Sequence, residues 1–184
     1  MRKIITAKDS TKVLLREPKM SDLKQLLNYI NEAIAEPGIN INLNKKVTLK
    51  EERIWLKGVL KNIKKRQTVK LIIEHNGKIC GNLSIERKPM NTRESHRAVF
   101  GIIISKAMRN KGLAQKTIPI LIKLAKKRMK GLEIIELDAF KCNNRAIHVY
   151  EKMGFKKITE LPDHIKKSGK YIPAVVMYYY LKKH

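Results

Sequence analysis

Residues 109–114 read Arg-Asn-Lys-Gly-Leu-Ala. This hexapeptide follows the run Val99-Phe100-Gly101-Ile102-Ile103-Ile104 and precedes a stretch with helical periodicity. A strand that hands over to a helix through two cations and a glycine has two readings. One is a solvated turn. The other is an anion cradle, because N–H groups at a helix N-terminus lack intrahelical partners and the helix dipole favours negative charge there. Small residues would let a phosphate approach the backbone, and Arg109 and Lys111 would add charge. The turn is not a Walker loop, since Gly112 is not followed by Lys-Ser or Lys-Thr, and it lacks a Gly-x-Gly-x-x-Gly pattern. Taken alone, it leaves both readings open.

Working outward, Ile118, Leu121, Ile122, Ala125 and Met129 share one helical face after the turn. Pro119 falls inside that helix, where proline costs about 3 kcal/mol or more. The helix is therefore kinked there or becomes regular only later. Residues 134–140 read as a strand, 144–153 as a short helix stopped by Gly154, and 155–161 and 174–181 as closing strands. Upstream, residues 96–105 form a strand. Gly101 inside it marks a bulge or a close backbone approach. Residues 69–87 form a hairpin around Asn76-Gly77. Thr48 and Glu51 make a capping box for a helix that buries Trp55, Leu56, Val59, Leu60 and Ile63. Ser21 precedes a helix with Leu23, Leu26, Leu27, Ile30 and Ile34 on one face, and residues 36–44 are a loop. Residues 12–17 form the first strand. The order is strand, two helices, three strands, helix, strand, helix, two strands. It describes one α/β domain over residues 1–184, built on a single sheet.

Composition narrows the partners. Forty-one Lys and Arg face sixteen Asp and Glu, a formal charge of +25. Such a surface attracts polyanions, so weak association with nucleic acid or the ribosome is an expectation. Aromatics make up only 5% of the chain, which argues against a dedicated single-strand binder. Cys80 and Cys142 form no disulfide framework, and the five histidines show no ligand spacing, so no metal is expected. No apolar run is long enough for a bilayer, and residues 1–12 lack a signal-peptide core. The reading is a cytoplasmic protein without a membrane partner.

A second stretch decides the phosphate question. Residues 143–155 read Asn-Asn-Arg-Ala-Ile-His-Val-Tyr-Glu-Lys-Met-Gly-Phe. Asn143, Ala146, Tyr150, Gly154 and Phe155, one strand after Arg109, Gly112 and Ala114, resemble the paired motifs of the GNAT superfamily of acyl-CoA-dependent N-acetyltransferases. The chain is broadly similar to members that acetylate ribosomal or other protein amines. The resemblance implies a mixed, mostly antiparallel sheet of six to seven strands, flanked by about four helices. The fourth and fifth strands would splay apart, with Gly101 near the opening. It implies a transferase that moves acetyl from acetyl-CoA to a primary amine by direct attack, with acetyl-CoA as cosubstrate and no metal. A homodimer is compatible with it.

The same resemblance assigns roles. The diphosphate of acetyl-CoA would rest on Arg109, Asn110, Lys111, Gly112, Leu113 and Ala114. The pantetheine arm would pair with the backbone of Ile102, Ile103 and Ile104. Asn143 would hold that arm or order the strand-to-helix turn. Tyr150 would both contact the cosubstrate and protonate the departing thiolate. The base position that some members fill with glutamate falls on Phe100. Asp138 and Glu136, alternating onto one face of the fifth strand, are the base candidates. Glu86 and His96 are further ones. Residues 169–171, Gly-Lys-Tyr, resemble a C-terminal pattern of one GNAT subgroup, though Pro173 stands where an acidic residue is frequent. The acceptor is read as a protein or peptide amine. The alternatives are a small amine or amino acid, and a non-catalytic nucleic-acid-binding protein on the same fold.

Overall fold

The structure, a computed structural model, describes residues 1–37, 41, 43–167 and 169–182. The strands are β1 (Arg2–Thr6), β2 (Lys12–Arg16), β3 (Thr68–His75), β4 (Lys78–Arg87), β5 (Arg97–Ile104), β6 (Ile134–Phe140), β7 (Lys156–Lys167) and β8 (Lys170–Tyr180). The helices are α1 (Leu23–Ala35), α2 (Leu49–Lys64), α3 (Leu113–Arg128) and α4 (Asn144–Lys152). One eight-stranded sheet runs in the order β1-β2-β3-β4-β5-β6-β8-β7. Every pairing is antiparallel except β5 with β6.

The class is the expected one, with one strand more than the expected range. The additional strand is β1, whose residues pair with β2 from Arg2↔Arg16 to Thr6↔Lys12. Its pattern is weak because Ile4 is largely exposed while Ile5 is buried. The expected loop at 36–44 lies partly outside the described residues, at 38–40 and 42.

Two apolar layers sandwich the sheet. The larger packs α3 and α4 on one face, through residues such as Ile118, Leu121, Ile147, Leu71, Ile85, Ile135 and Met177. The smaller packs α1 and α2 on the other face, through Leu23, Leu26, Tyr29, Leu56, Ile72 and Ile79. The alternation of β5 splits its isoleucines between them. Ile102 and Ile104 lean on the first layer and Ile103 on the second. Helix α2 carries the expected capping box, with Glu51 N–H donating to the Thr48 hydroxyl and Thr48 N–H to the Glu51 carboxylate. Trp55 corrects the expected core. It is 38% exposed, because it stands at the mouth of a cavity rather than against the sheet.

The parallel pairing of β5 and β6 is short. It covers Arg97↔Ile134, Ala98↔Ile135 and Val99↔Glu136 and then ends. Beyond Val99 the strands diverge: β5 stays paired with β4 as far as Ile104, and β6 stays paired with β8 as far as Phe140. These are the fourth and fifth strands of the sequence reading, shifted by one in number by β1. Gly101 lies just past the divergence, yet the β4–β5 register runs through it without a bulge. A Cβ added there would meet nothing within 4 Å. Its missing side chain leaves space instead of bending the strand.

Candidate active site

The turn at 109–114 bridges β5 and α3. Asn110 and Gly112 both adopt left-handed backbone, with φ of 68° and 72°. A Cβ on Gly112 would stand 2.9 Å from Lys8 Cγ, so glycine suits both the dihedral and the contact. Helix α3 starts directly at Leu113 with Gly112 as its N-cap, and no side chain caps it. The first-turn amides of Leu113, Ala114 and Gln115 are therefore free to bind an anion. The helix runs unbroken through Pro119, so the later start does not occur. Pro119 lies on the exposed flank of the helix.

These amides open into a cleft of about 520 Å³. Ile102, Ile103 and Ile104 line one side, Arg109, Asn110, Gly112, Leu113 and Ala114 the end, and Asn143 and Tyr150 the far wall. The structure thus gathers nearly all of the residues assigned from the paired motifs. The wall comes from α4, which begins because the Asn143 side chain accepts Ala146 N–H at 3.2 Å. Asn143 therefore orders the strand-to-helix turn. The Tyr150 ring packs edge-on against Phe100, with centroids 5.8 Å apart, and tilts against Phe155 at 6.0 Å. Burial pushes its hydroxyl up to about 12, so it stays protonated at neutral pH.

Arg109 acts in an unexpected way. Its Nε donates to the Ile104 carbonyl at 2.8 Å, and its guanidinium forks onto the Glu36 carboxylate, with Nη2 to Oε2 at 2.7 Å. It clamps the end of β5 to the end of α1, and it holds the Glu36 carboxyl below the usual carboxylate range. Lys111 is turned away from the cleft. Its Nζ pairs with Asp9 at 2.7 Å and its carbonyl accepts Lys8 N–H at 2.9 Å. Its side chain therefore adds no charge to the cleft in this arrangement.

The base candidates lie elsewhere. Glu136 is buried in an ion cluster with Lys88 Nζ, at 2.9 Å, and with Arg97. That cluster closes the short β5–β6 seam and leaves Glu136 no access to the cleft. Asp138 is on the same face but half-exposed, 3.7 Å from His164 Nε2. Neither residue is among those that line the cleft. Glu86 accepts the Ser84 hydroxyl, and the His96 Nδ1 lies 3.1 Å from the Arg93 carbonyl, both away from the cleft. Tyr171 is exposed beneath Lys166 on the β7–β8 hairpin.

Sequence reading missed several cleft residues. Lys8 arrives from the β1–β2 turn and gives no local signal. Arg145 and His148 stood inside the quoted stretch 143–155, and their spacing of three puts them on one helical flank. A second cavity of about 430 Å³ lies on the opposite face of the sheet, under α1 and α2. Tyr29, Glu52, Trp55, Lys70 and Asn82 line it, and it shares Ile103 with the cleft. The Tyr29 hydroxyl donates to the Ile103 carbonyl at 2.8 Å, tying α1 to the strand between the two spaces.

Residues 40–155, more than half of the chain, match the model of the acetyltransferase (GNAT) family. The chain belongs to that family. Among curated proteins it is similar to the L-amino acid N-acetyltransferase AaaT of Escherichia coli, with 30% identity over 102 residues. That match covers 55% of this chain and 62% of the relative. Among solved structures, a ribosomal-protein-alanine N-acetyltransferase from Brucella melitensis superposes with a TM-score of 0.80 at 20% identity, covering 91% of this chain and 99% of that one. The yncA protein of Salmonella typhimurium, solved with its cofactor acetyl-CoA, does so with a TM-score of 0.80 at 19% identity, over 94% and 95% of the two chains. At such identities these structures establish the GNAT fold. Among the described residues, no group of three or more His, Cys, Asp or Glu could hold a metal ion, and no helix is long and apolar enough to cross a membrane.

Proposed function

We propose that this GNAT protein transfers an acetyl group from acetyl-CoA to a primary amine by direct attack. The observation that carries the reading is the alignment of the uncapped α3 amides with the open end of the β5–β6 splay, inside one cleft. A diphosphate suits the amides of Leu113 and Ala114 with those of the turn before them. The positive charges of Lys8 and Arg145 line the same cleft. From there an extended arm can follow the stretch of β5 beyond Val99, where β6 no longer pairs. The arm then lies between Ile102–Ile104 and Tyr150.

The chemistry divides simply. The neutral amine attacks the thioester carbonyl carbon, the C–N bond forms and the C–S bond breaks. The sulfur leaves with the bonding electrons. The protonated Tyr150 hydroxyl donates to it, and the amine nitrogen loses a proton to solvent or a nearby carboxylate. Tyr150 suits this role because burial keeps its proton in place.

For the acceptor, we favour a small amine over a protein amine. The second cavity lies across Ile103 from the cleft and falls within the roughly 300–1,000 Å³ usual for small-molecule sites. The likeness to an L-amino acid N-acetyltransferase supports the same choice. The test is thiol release from acetyl-CoA with a panel of peptides, amino acids and simple amines, alongside calorimetric binding of acetyl-CoA. Thiol release with a small amine is the expected result. Absence of both acetyl-CoA binding and amine-dependent thiol release overturns the proposal.

A further inference from the structure

The outer face of α2 carries charge that neither the cleft nor the second cavity uses. Leu56 and Val59 set its buried face, while Glu52 and Trp55 line the second cavity. Lys50, Arg53, Lys57, Lys61 and Lys64 are all exposed. At 3.6 residues per turn these five fall within about 80° of arc, so they form one stripe along the helix. At about 1.5 Å per residue the stripe runs about 21 Å. None of the five side chains makes a hydrogen bond or ion pair among the described residues. The chain has no Asp or Glu between Glu52 and Glu74. Glu51 is engaged in the Thr48 capping box, and Glu52 is buried away from the stripe. Most other acids pair elsewhere, as Asp22 and Glu74 do with Arg16 and Glu36 with Arg109.

This pattern works against the helix that holds it. Arg53 and Lys57, and Lys57 and Lys61, are like charges four residues apart, which destabilise a helix. Lys50 stands in the first turn, where the macrodipole disfavours a cation. A row of anions lying along α2 would relieve both. Helix α3 carries as many cations in a different arrangement. Pro119 and Ile120 interrupt its outer face, Lys116 Nζ donates to the Thr6 carbonyl, and Arg128 pairs with Glu17. The spacing on α2 selects the partner. Successive cations stand about 5–6 Å apart on a helix surface. One strand of a nucleic-acid duplex presents a phosphate about every 3.4 Å of its length, so a stripe of this length passes about six. Trp55 is the one aromatic residue of α2, and it stands at the second cavity. Unpaired bases would find no stacking platform along the stripe, which suits contact with the backbone instead.

We propose that the outer face of α2 is a docking surface for the phosphate backbone of a nucleic-acid duplex, held by Lys50, Arg53, Lys57, Lys61 and Lys64 without regard to base sequence. The surface lies across the sheet from the cleft that ends at the 109–114 turn, so a ligand in that cleft and a duplex can be bound at once.

The test measures binding to a duplex RNA and a duplex DNA of one sequence, by fluorescence anisotropy between about 50 and 200 mM salt. Wild type is compared with Lys57→Gln/Lys61→Gln/Lys64→Gln on α2 and with Lys123→Gln/Lys126→Gln/Lys127→Gln on the exposed side of α3, which removes the same charge. Wild type is expected to bind at least one duplex, with affinity that falls steeply as salt rises, and the tighter duplex tells RNA from DNA. The α2 variant should lose about tenfold or more in affinity and flatten the salt slope by about 2–3, roughly one per lost phosphate contact. The α3 variant should stay within about twofold of wild type. Absence of binding to both duplexes at the lowest salt overturns the proposal. Equal loss in the two variants also overturns it, because binding would then follow net charge alone. Tighter binding of wild type to phosphatidylserine vesicles or to polyglutamate than to either duplex overturns it too, and that comparison stands whether or not a variant folds. None of these readouts depends on acetyl transfer.

Discussion

Tyr150 lines the cleft, its hydroxyl makes no hydrogen bond among the described residues, and its ring is gripped by Phe100 and Phe155. Tyr150→Phe keeps the ring packing and removes the proton. Its kcat is expected to fall about 100-fold, with the KM for acetyl-CoA little changed, in steady-state thiol-release assays. Because the hydroxyl is pushed up to about 12, its deprotonation should impose no alkaline fall in rate at ordinary pH. At Gly112, replacement by Glu forces a left-handed backbone on a larger residue and sets a carboxylate against the anion site. Acetyl-CoA affinity should drop by about 100-fold or more in calorimetry, as like charges brought together cost several kcal/mol. Both residues were singled out in the sequence by the resemblance of their two motifs to the GNAT pattern. Glu36, Lys8 and Lys70 were not. Their significance comes from partners across the fold, as with the 73 residues that separate Glu36 from Arg109, and no local pattern encodes such a meeting.

Among the elements, α3 carries the sharpest internal conflict. It must present free amides at its start, yet it holds Pro119 a turn and a half later. Pro119→Ala restores one backbone hydrogen bond on an exposed flank and is expected to raise stability by about 1–3 kcal/mol, read from urea melts. Helix α2 was readable from periodicity and capping, and α1 from periodicity alone, since its N-cap is Asp22 and not the expected Ser21; the apolar positions of both meet one sheet face. The ends of the sheet were harder. β1 is short and basic with one strongly exposed isoleucine, and β7 is exposed along nearly all of its length. Neither has a buried side that would impose alternation. β7 also contains Pro162 and a register shift between Leu161 and Ile165, with Asp163 at φ of 52°. Such features read in sequence as a loop. Trp55 was misread for a related reason: periodicity reports which helix face turns inward, but not where that face meets a cavity.

At the scale of the whole molecule, the turn that ends the cleft is held by ion pairs that join distant parts of the chain. Arg109 holds the Glu36 carboxyl below its ordinary value of 4.5, and Lys111 holds Asp9 down at about 2 against an ordinary 3.8. A carboxyl whose folded pKa is depressed stabilises the fold fully above its unfolded value and loses that contribution as pH falls through the folded one. The melting temperature should therefore be insensitive to these pairs from pH 7 to about 5. It should decline below about 4.5, first as the Glu36 pair is protonated and then the Asp9 pair, in a series of thermal melts. Removing the Glu36 pair by Glu36→Gln should flatten the upper part of that decline. The same long-range stitching has a temporal meaning. The β1–β2 turn reaches the start of α3 through Lys8 N–H to the Lys111 carbonyl, the Asp9–Lys111 pair, and Lys116 Nζ to the Thr6 carbonyl. The turn at 109–114, the proposed phosphate seat, can take its final shape only when segments about a hundred residues apart have met, so on that proposal a nascent chain gains nucleotide affinity late and abruptly. Capture of the cosubstrate would then serve as a clock for the completion of folding.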